Sequence, residues 1–261
     1  MDQDLVLYQV EDGIATLTLN APAKRNALSM ALRKALLACL DQATSDPQVR
    51  VVLLAANGPV FCAGGDISQM SGNTDAGLEV TRQRMDLLHA IVRRIVAGPK
   101  PVIAVVDGAV AGAGLSLAAA CDYIVATPAS RFGAPFGKLG LMADMGLIWT
   151  LQCRTGHSFA KDMLLSGRML DLDEALQRGL VDEAASPETL RERALAKAGQ
   201  YLSSGPLALA ATKTVMSQGV ESLDQVLGQE AAVQLGLTLT ADHSEGARAF
   251  MEKRAPRFQG R

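Results

Sequence analysis

The chain has 261 residues, of which 49% are hydrophobic, 20% charged and 4% aromatic, with a formal net charge of -2. That is too apolar and too weakly charged for a disordered chain, and the near-neutral balance argues against nucleic acid as a main partner. No apolar run approaches the ~20 residues that a membrane span needs.

The acidic opening Met1-Asp2-Gln3-Asp4 gives no expectation of a cleaved leader. Four cysteines, Cys39, Cys62, Cys121 and Cys153, stand far apart with no CxxC pair, and three histidines are scattered. They read as small hydrophobes of a reducing cytoplasm, not as zinc ligands. The expectation is a soluble cytoplasmic protein built as one large domain, or as a core with a small appendage.

In chain order, residues 5–10 and 14–19 are strand-like and flank Glu11-Asp12-Gly13, a hairpin signal. Ser29 is the expected cap of a helix carrying Leu32, Leu36, Cys39 and Leu40 on one face. Residues 49–55 and 101–106 are β-rich runs, separated by a helical pattern over about residues 81–96. Residues 123–126 make a further short strand. Apolar strands alternating with helices predict an α/β fold with a parallel sheet. From about Pro187 onward the pattern is helical, with Pro206, Ser222 and Asp242 as helix starts and no further strand. We divide the chain into a core over residues 1–200 and a helical region over 201–261. A tail with so few breakers often packs on a neighbour.

The most informative segments close two of the buried strands. After the first comes Asn57-Gly58-Pro59-Val60-Phe61-Cys62-Ala63-Gly64-Gly65-Asp66-Ile67. After the second comes Asp107-Gly108-Ala109-Val110-Ala111-Gly112-Ala113-Gly114-Leu115-Ser116-Leu117. In a parallel sheet both lie at carboxyl ends of strands, where ligands bind. Small residues there let a ligand approach the backbone, and two such turns facing one point would offer paired N–H donors to an oxygen gaining charge. Either turn alone is explained by tight packing; two in successive strand–helix units favour the oxyanion hole. Nucleotide loops fit poorly. Gly112-x-Gly114 meets Leu117 where a dinucleotide fingerprint wants glycine, and Gly137-Lys138 is followed by Leu139.

With Asn26-Ala27-Leu28, Cys121-Asp122, Phe132-Gly133, Gly140-Leu141, Gly179-Leu180-Val181-Asp182 and Phe250-Met251-Glu252-Lys253-Arg254, these turns resemble the crotonase (enoyl-CoA hydratase/isomerase) superfamily. The matches run in order from about residue 20 to the C-terminus. The resemblance implies a spiral of ββα units with a C-terminal helical trimerisation region, assembled as a homotrimer or dimer of trimers. It implies an acyl-CoA thioester as substrate, with no separate cofactor and no metal. The oxyanion-hole amides would be those of Gly65 and Ala113. Coenzyme A would lie along Lys24, Arg25, Ala27, Leu28, Ala63, Asp66 and Ile67, with Gly112, Pro135 and Phe136 also lining the substrate site. Phe250 and Lys253 match positions that reach a neighbouring subunit's coenzyme A, although ordinary helix packing and solvation explain them equally well.

Hydratases of the superfamily carry two glutamates, where this chain has Ser116 and Phe136; neither can serve as a carboxylate base. A carboxylate stands further on, in Leu139-Gly140-Leu141-Met142-Ala143-Asp144-Met145-Gly146. Members that move double bonds or rearrange rings use an aspartate here, and residues 139–151 are most similar to the epoxyphenylacetyl-CoA isomerase branch. Asp144 is therefore expected to be the proton-transfer base, with helix capping as its plainer role. Its apolar neighbours would raise its pKa and a helix terminus would lower it. The expected reaction is conversion of 3-enoyl-CoA to 2-enoyl-CoA, or isomerisation of a related ring substrate, within fatty acid metabolism. The alternatives are an atypical hydratase, an aryl-CoA dehalogenase (disfavoured by Phe136), or a CoA- or RNA-binding relative without turnover. His89, His157 and His243 form no triad order, and Cys62 reads as packing.

Overall fold

Short strand pairs joined by single helices give this chain two sheets. The computed structural model describes residues 4–66, 75–219 and 222–261. The first hairpin joins β1 (Val6–Glu11) to β2 (Ile14–Leu19) through Asp12 and Gly13, both with positive φ, as a turn matched to strand twist requires. Next come α1 (Met30–Ser45), β3 (Val51–Ala56), β4 (Val60–Cys62), α2 (Asp75–Val96), β5 (Val102–Val106), β6 (Ala109–Ala111) and α3 (Ala113–Ala119). The chain continues with β7 (Tyr123–Ala126), β8 (Arg131–Gly133), α4 (Leu147–Thr155), α5 (His157–Ser166), β9 (Met169–Leu170), α6 (Leu172–Gln177) and β10 (Glu183–Ala184). Four helices end it: α7 (Leu190–Leu202), α8 (Pro206–Ser217), α9 (Leu223–Thr238) and α10 (Ala241–Met251).

The larger sheet has the order β1-β2-β3-β5-β7-β10, parallel throughout except for the β1–β2 hairpin. It is covered on both sides, which explains its continuous apolar strands. Val52, Leu54, Val102, Ala104 and Val106 join the main core with Leu32 and Leu36 of α1 and Leu88, Ile91 and Ile95 of α2. Val51, Leu53, Ile103 and Val125 point the other way, onto Leu190, Ala194 and Ala198 of α7. The smaller sheet runs β4-β6-β8-β9, with β4, β6 and β8 parallel and β9 antiparallel. In each successive unit, β3–β4, β5–β6 and β7–β8, the first strand enters the large sheet and the second the small one before the chain turns helical. This repetition is the expected spiral of ββα units.

Several boundaries differ from those the residues predict. The second sheet has no counterpart among the expected elements, because strands of two or three residues are too short to show a period. The α2 helix begins at Asp75, earlier than residue 81. Pro206 opens α8, and the Ser222 side chain caps α9 by accepting from the Gln225 N–H. The α10 helix starts at Ala241, one residue before Asp242, and its cap is Thr240. The buried Asp242 carboxylate instead accepts from the Gln259 N–H at 2.6 Å and the Gly260 N–H at 2.8 Å, latching the C-terminal segment onto α10. Cys62 and Cys121 are buried, as expected, but Cys153 is exposed. Among the described residues, no helix is long and apolar enough to cross a membrane.

Candidate active site

The two glycine turns meet. Gly64 has φ +96°, and a methyl group there would lie 2.7 Å from the Ala111 carbonyl oxygen and 3.3 Å from the Ala113 nitrogen. Only glycine fits both the conformation and the approach. Gly112 (φ +55°) turns β6 into α3, and its N–H donates to the Gly133 carbonyl at 2.9 Å. A side chain on Gly114 would collide with the Cys62 carbonyl, so α3 lies directly on the first turn. Among the described residues, neither the Gly65 N–H nor the Ala113 N–H donates to a backbone carbonyl. Two unused donors thus sit on adjoining turns, the local requirement for holding an oxyanion.

The segment before α1 is bound to the first turn. The Leu28 N–H donates to the Gly64 carbonyl at 2.7 Å, and the Ala63 N–H to the Arg25 carbonyl at 3.0 Å. Its lock is Asn26, which is fully buried in a left-handed conformation (φ +51°). The Asn26 amide oxygen accepts from the Ala21 N–H at 2.8 Å, while its nitrogen donates to the Asn57 and Val60 carbonyls at 2.9 and 2.8 Å. Every polar atom of that side chain is used, which makes it structural. Lys24 and Arg25 are exposed on the flanking 3-10 turn, Ala63 is exposed beside them, and Ala27 and Asp66 are half-buried. Leu28 is core, so only its backbone reaches this surface. Ile67 lies outside the described residues.

The two hydratase positions are apolar or spent. Ser116 is fully buried, its hydroxyl turned back to the Gly112 carbonyl at 3.4 Å. Phe136, 8% exposed on the 3-10 turn that Pro135 begins, brings its ring edge within 3.9 Å of a methyl placed on Gly112.

Asp144 precedes α4. The residues after it, Met145 (φ +51°) and Gly146 (φ +69°), are both left-handed and turn the chain sharply into the helix. Gly146 is the cap of α4 and no side chain caps it, so capping does not account for Asp144. Instead the Asp144 Oδ1 is enclosed and has no hydrogen-bond partner among the described residues. Burial raises its pKa above the ordinary aspartate value, and the nearby charges of Arg33 and His89 oppose that rise. A hydrogen bond from its own backbone N–H opposes the rise as well. The Cys62 thiol, fully buried, is pushed up to about 12 and stays neutral, consistent with packing.

Phe250 and Lys253 stand apart from these turns. Phe250 is 84% exposed and borders a hollow formed with Leu207, Ala208 and Phe258 of its own chain. Sequence reasoning missed Arg33, whose position among the apolar residues of α1 carries no chemical signature.

Residues 9–261 match the family described as enoyl-CoA hydratase/isomerase. The chain is 33% identical to a 1,2-epoxyphenylacetyl-CoA isomerase of Escherichia coli over 99% of both chains. It is 38% identical to a 2,3-dehydroadipyl-CoA hydratase of the same organism over 95% of this chain and 96% of that one. An enoyl-CoA hydratase structure from Bacillus anthracis superposes with a TM-score of 0.92 at 29% identity, covering 99% of this chain and all of that one. The chain belongs to the enoyl-CoA hydratase/isomerase family.

Proposed function

We propose that the protein isomerises an enoyl-CoA, moving a double bond from C3–C4 to C2–C3, with Asp144 as the single proton carrier. The thioester carbonyl sits on the Gly65 and Ala113 N–H groups. The Asp144 carboxylate takes a proton from C2, the electron pair spreads into the carbonyl, and the two amides hold the enolate charge. The protonated Asp144 then delivers its proton to C4, and the enolate collapses to the conjugated thioester. No water is consumed, and neither metal nor redox cofactor is called for. A ring substrate able to form the same enolate follows the same course. Coenzyme A lies along Lys24, Arg25 and the backbone of residues 63–66, in a cytoplasmic, reducing setting.

The observation that carries this reading is the enclosed, unpartnered Asp144 Oδ1, combined with Ser116 and Phe136 where an acid–base pair for water would stand. The relatives include both isomerases and hydratases, so product identity decides between them. Purified protein should convert 3-enoyl-CoA to 2-enoyl-CoA. Conjugation at full rate by Asp144→Asn would remove Asp144 as the base, and rapid formation of 3-hydroxyacyl-CoA would establish a hydratase.

The assembly we propose is a homotrimer, or a dimer of trimers, joined through α8–α10, placing Phe250 and Lys253 near a neighbour's coenzyme A. In support, α8 and α9 bury no residue within the chain, and Leu235, Leu239 and Met251 are exposed. Light scattering of the purified protein tests this; a monomer at micromolar concentration would refute it.

A further inference from the structure

Arg33 follows the Ser29 cap on α1, on a helix whose Leu32, Leu36 and Leu40 fill the main core. It is 5% exposed, and its Nε and Nη1 are enclosed with no hydrogen-bond partner among the described residues. A guanidinium does not shed its proton to escape such a place, so it needs an acceptor from somewhere. Two other arginines of this chain are engaged through all three of their nitrogens. Arg154 donates to the Ala119, Leu180 and Cys121 carbonyls and to Asp182, and Arg168 grips Glu174 through two nitrogens.

Among the described residues, the charged groups within electrostatic reach of Arg33 are Asp144, Asp66 and Arg84. Two of these are proposed site residues, so the guanidinium lies within electrostatic reach of the proposed base. Among the described residues, no carboxylate bonds to its Nε or Nη1, and the Asp144 Oδ1 is likewise unbonded. Burial and the like charge of Arg84 weigh against the Arg33 cation, and the Asp144 and Asp66 carboxylates offset this in part. A neutral oxygen from a ligand would satisfy its N–H groups without adding to that offset. A carboxylate satisfies the donors and offsets the charge together, through the stronger charge-assisted bonds.

We propose that Arg33 is a specificity-determining residue that binds a carboxylate on the acyl group, making the substrates CoA thioesters of dicarboxylic acids. This rests on reading the site as an acyl-CoA site, with the thioester at Gly65 and Ala113 and the acyl chain passing Asp144. The two carboxylates then have separate tasks: the protein's moves protons, and the substrate's anchors the chain end.

The test is calorimetric binding of saturated thioesters, which requires no turnover. Glutaryl-, adipoyl- and suberoyl-CoA are compared with pentanoyl-, hexanoyl- and octanoyl-CoA on wild type, Arg33→Met and Arg33→Lys. Wild type should bind at least one dicarboxylic thioester about tenfold or more tightly than its monocarboxylic counterpart. Arg33→Met should abolish that preference, leave monocarboxylic binding within about threefold, and melt no lower than wild type, since it removes an unpaired buried charge. Arg33→Lys should keep part of the preference. Absence of any preference in wild type overturns the proposal, and this outcome needs no variant to fold. Survival of the preference in Arg33→Met, or equal weakening of both series, also overturns it. If no thioester binds at all, the acyl-CoA reading itself falls; if thioesters bind without preference, only the role of Arg33 does.

Discussion

The glycine-turn core and the C-terminal helices fail to complete themselves in opposite ways. In the core, apolar side chains are covered and the Asn26 amide spends every donor and acceptor, yet Arg33 and Asp144 keep enclosed polar atoms without partners. In the tail, both carboxylate oxygens of Asp242 are used to latch the last residues, yet Leu235 and Leu239 stand in solvent. Unsatisfied polarity inside a core calls for a small polar ligand, whereas uncovered apolar surface calls for another protein surface. The contrast locates chemistry in one region and assembly in the other.

The strongest way to break this contrast is Asp144→Asn. It should cut enoyl-CoA isomerisation by about a hundred- to ten-thousandfold, the usual worth of a positioned acid–base group, while the melting temperature holds or rises. A folded variant with unchanged turnover would show that the unpartnered carboxylate marks something other than proton transfer. In wild type the base acts as carboxylate, so kcat/KM should climb with pH through a value above the ordinary aspartate range. Stability runs the other way. The folded state holds the Asp144 proton more tightly than the unfolded chain, so its contribution is lost as pH rises from the ordinary aspartate value through the raised one. A pH–rate profile and pH-dependent melts of wild type against the asparagine variant would test both signs.

Gly64→Ala probes the core by overfilling it. The added methyl meets the Ala111 carbonyl in a left-handed residue, so a loss of about 1–3 kcal/mol in denaturant unfolding is expected, together with reduced turnover. Asp242→Ala should cost about 2 kcal/mol by freeing the Gln259 and Gly260 N–H groups, and faster proteolysis of the C-terminus would report it. The smallest effect on the single chain belongs to Leu235→Lys combined with Leu239→Lys. These exposed changes should alter subunit folding by no more than about 0.5 kcal/mol. Light scattering should nevertheless show a lower mass. An unchanged mass would remove the tail's side of the contrast.

Much of this architecture was legible in the residues. The Asp12-Gly13 hairpin, the apolar runs of β3, β5 and β7 and the Ser29 and Ser222 caps are local, and local rules read them. The glycine turns were legible too, because a cluster of small residues after each of two successive strands is more than tight packing requires. The small sheet was not, since its strands are too short for any period and exist only because their partners hold them. Nor was Asp242, whose carboxylate serves residues far along the chain instead of its own helix.

By itself, the sequence determined the strand–helix alternation, the two glycine turns, the replacement of both hydratase carboxylates by Ser116 and Phe136, and the presence of Asp144. Those properties depend on residue type and near-neighbour spacing. Only the tertiary structure decided that Gly64 lies against Ala111, that the Asp144 Oδ1 is enclosed without a partner among the described residues, and that Arg33 is buried within electrostatic reach of it. A helix periodicity assigns an arginine to solvent by default. Whether that default holds depends on what packs against the helix from elsewhere in the chain, and here α2 lies against α1.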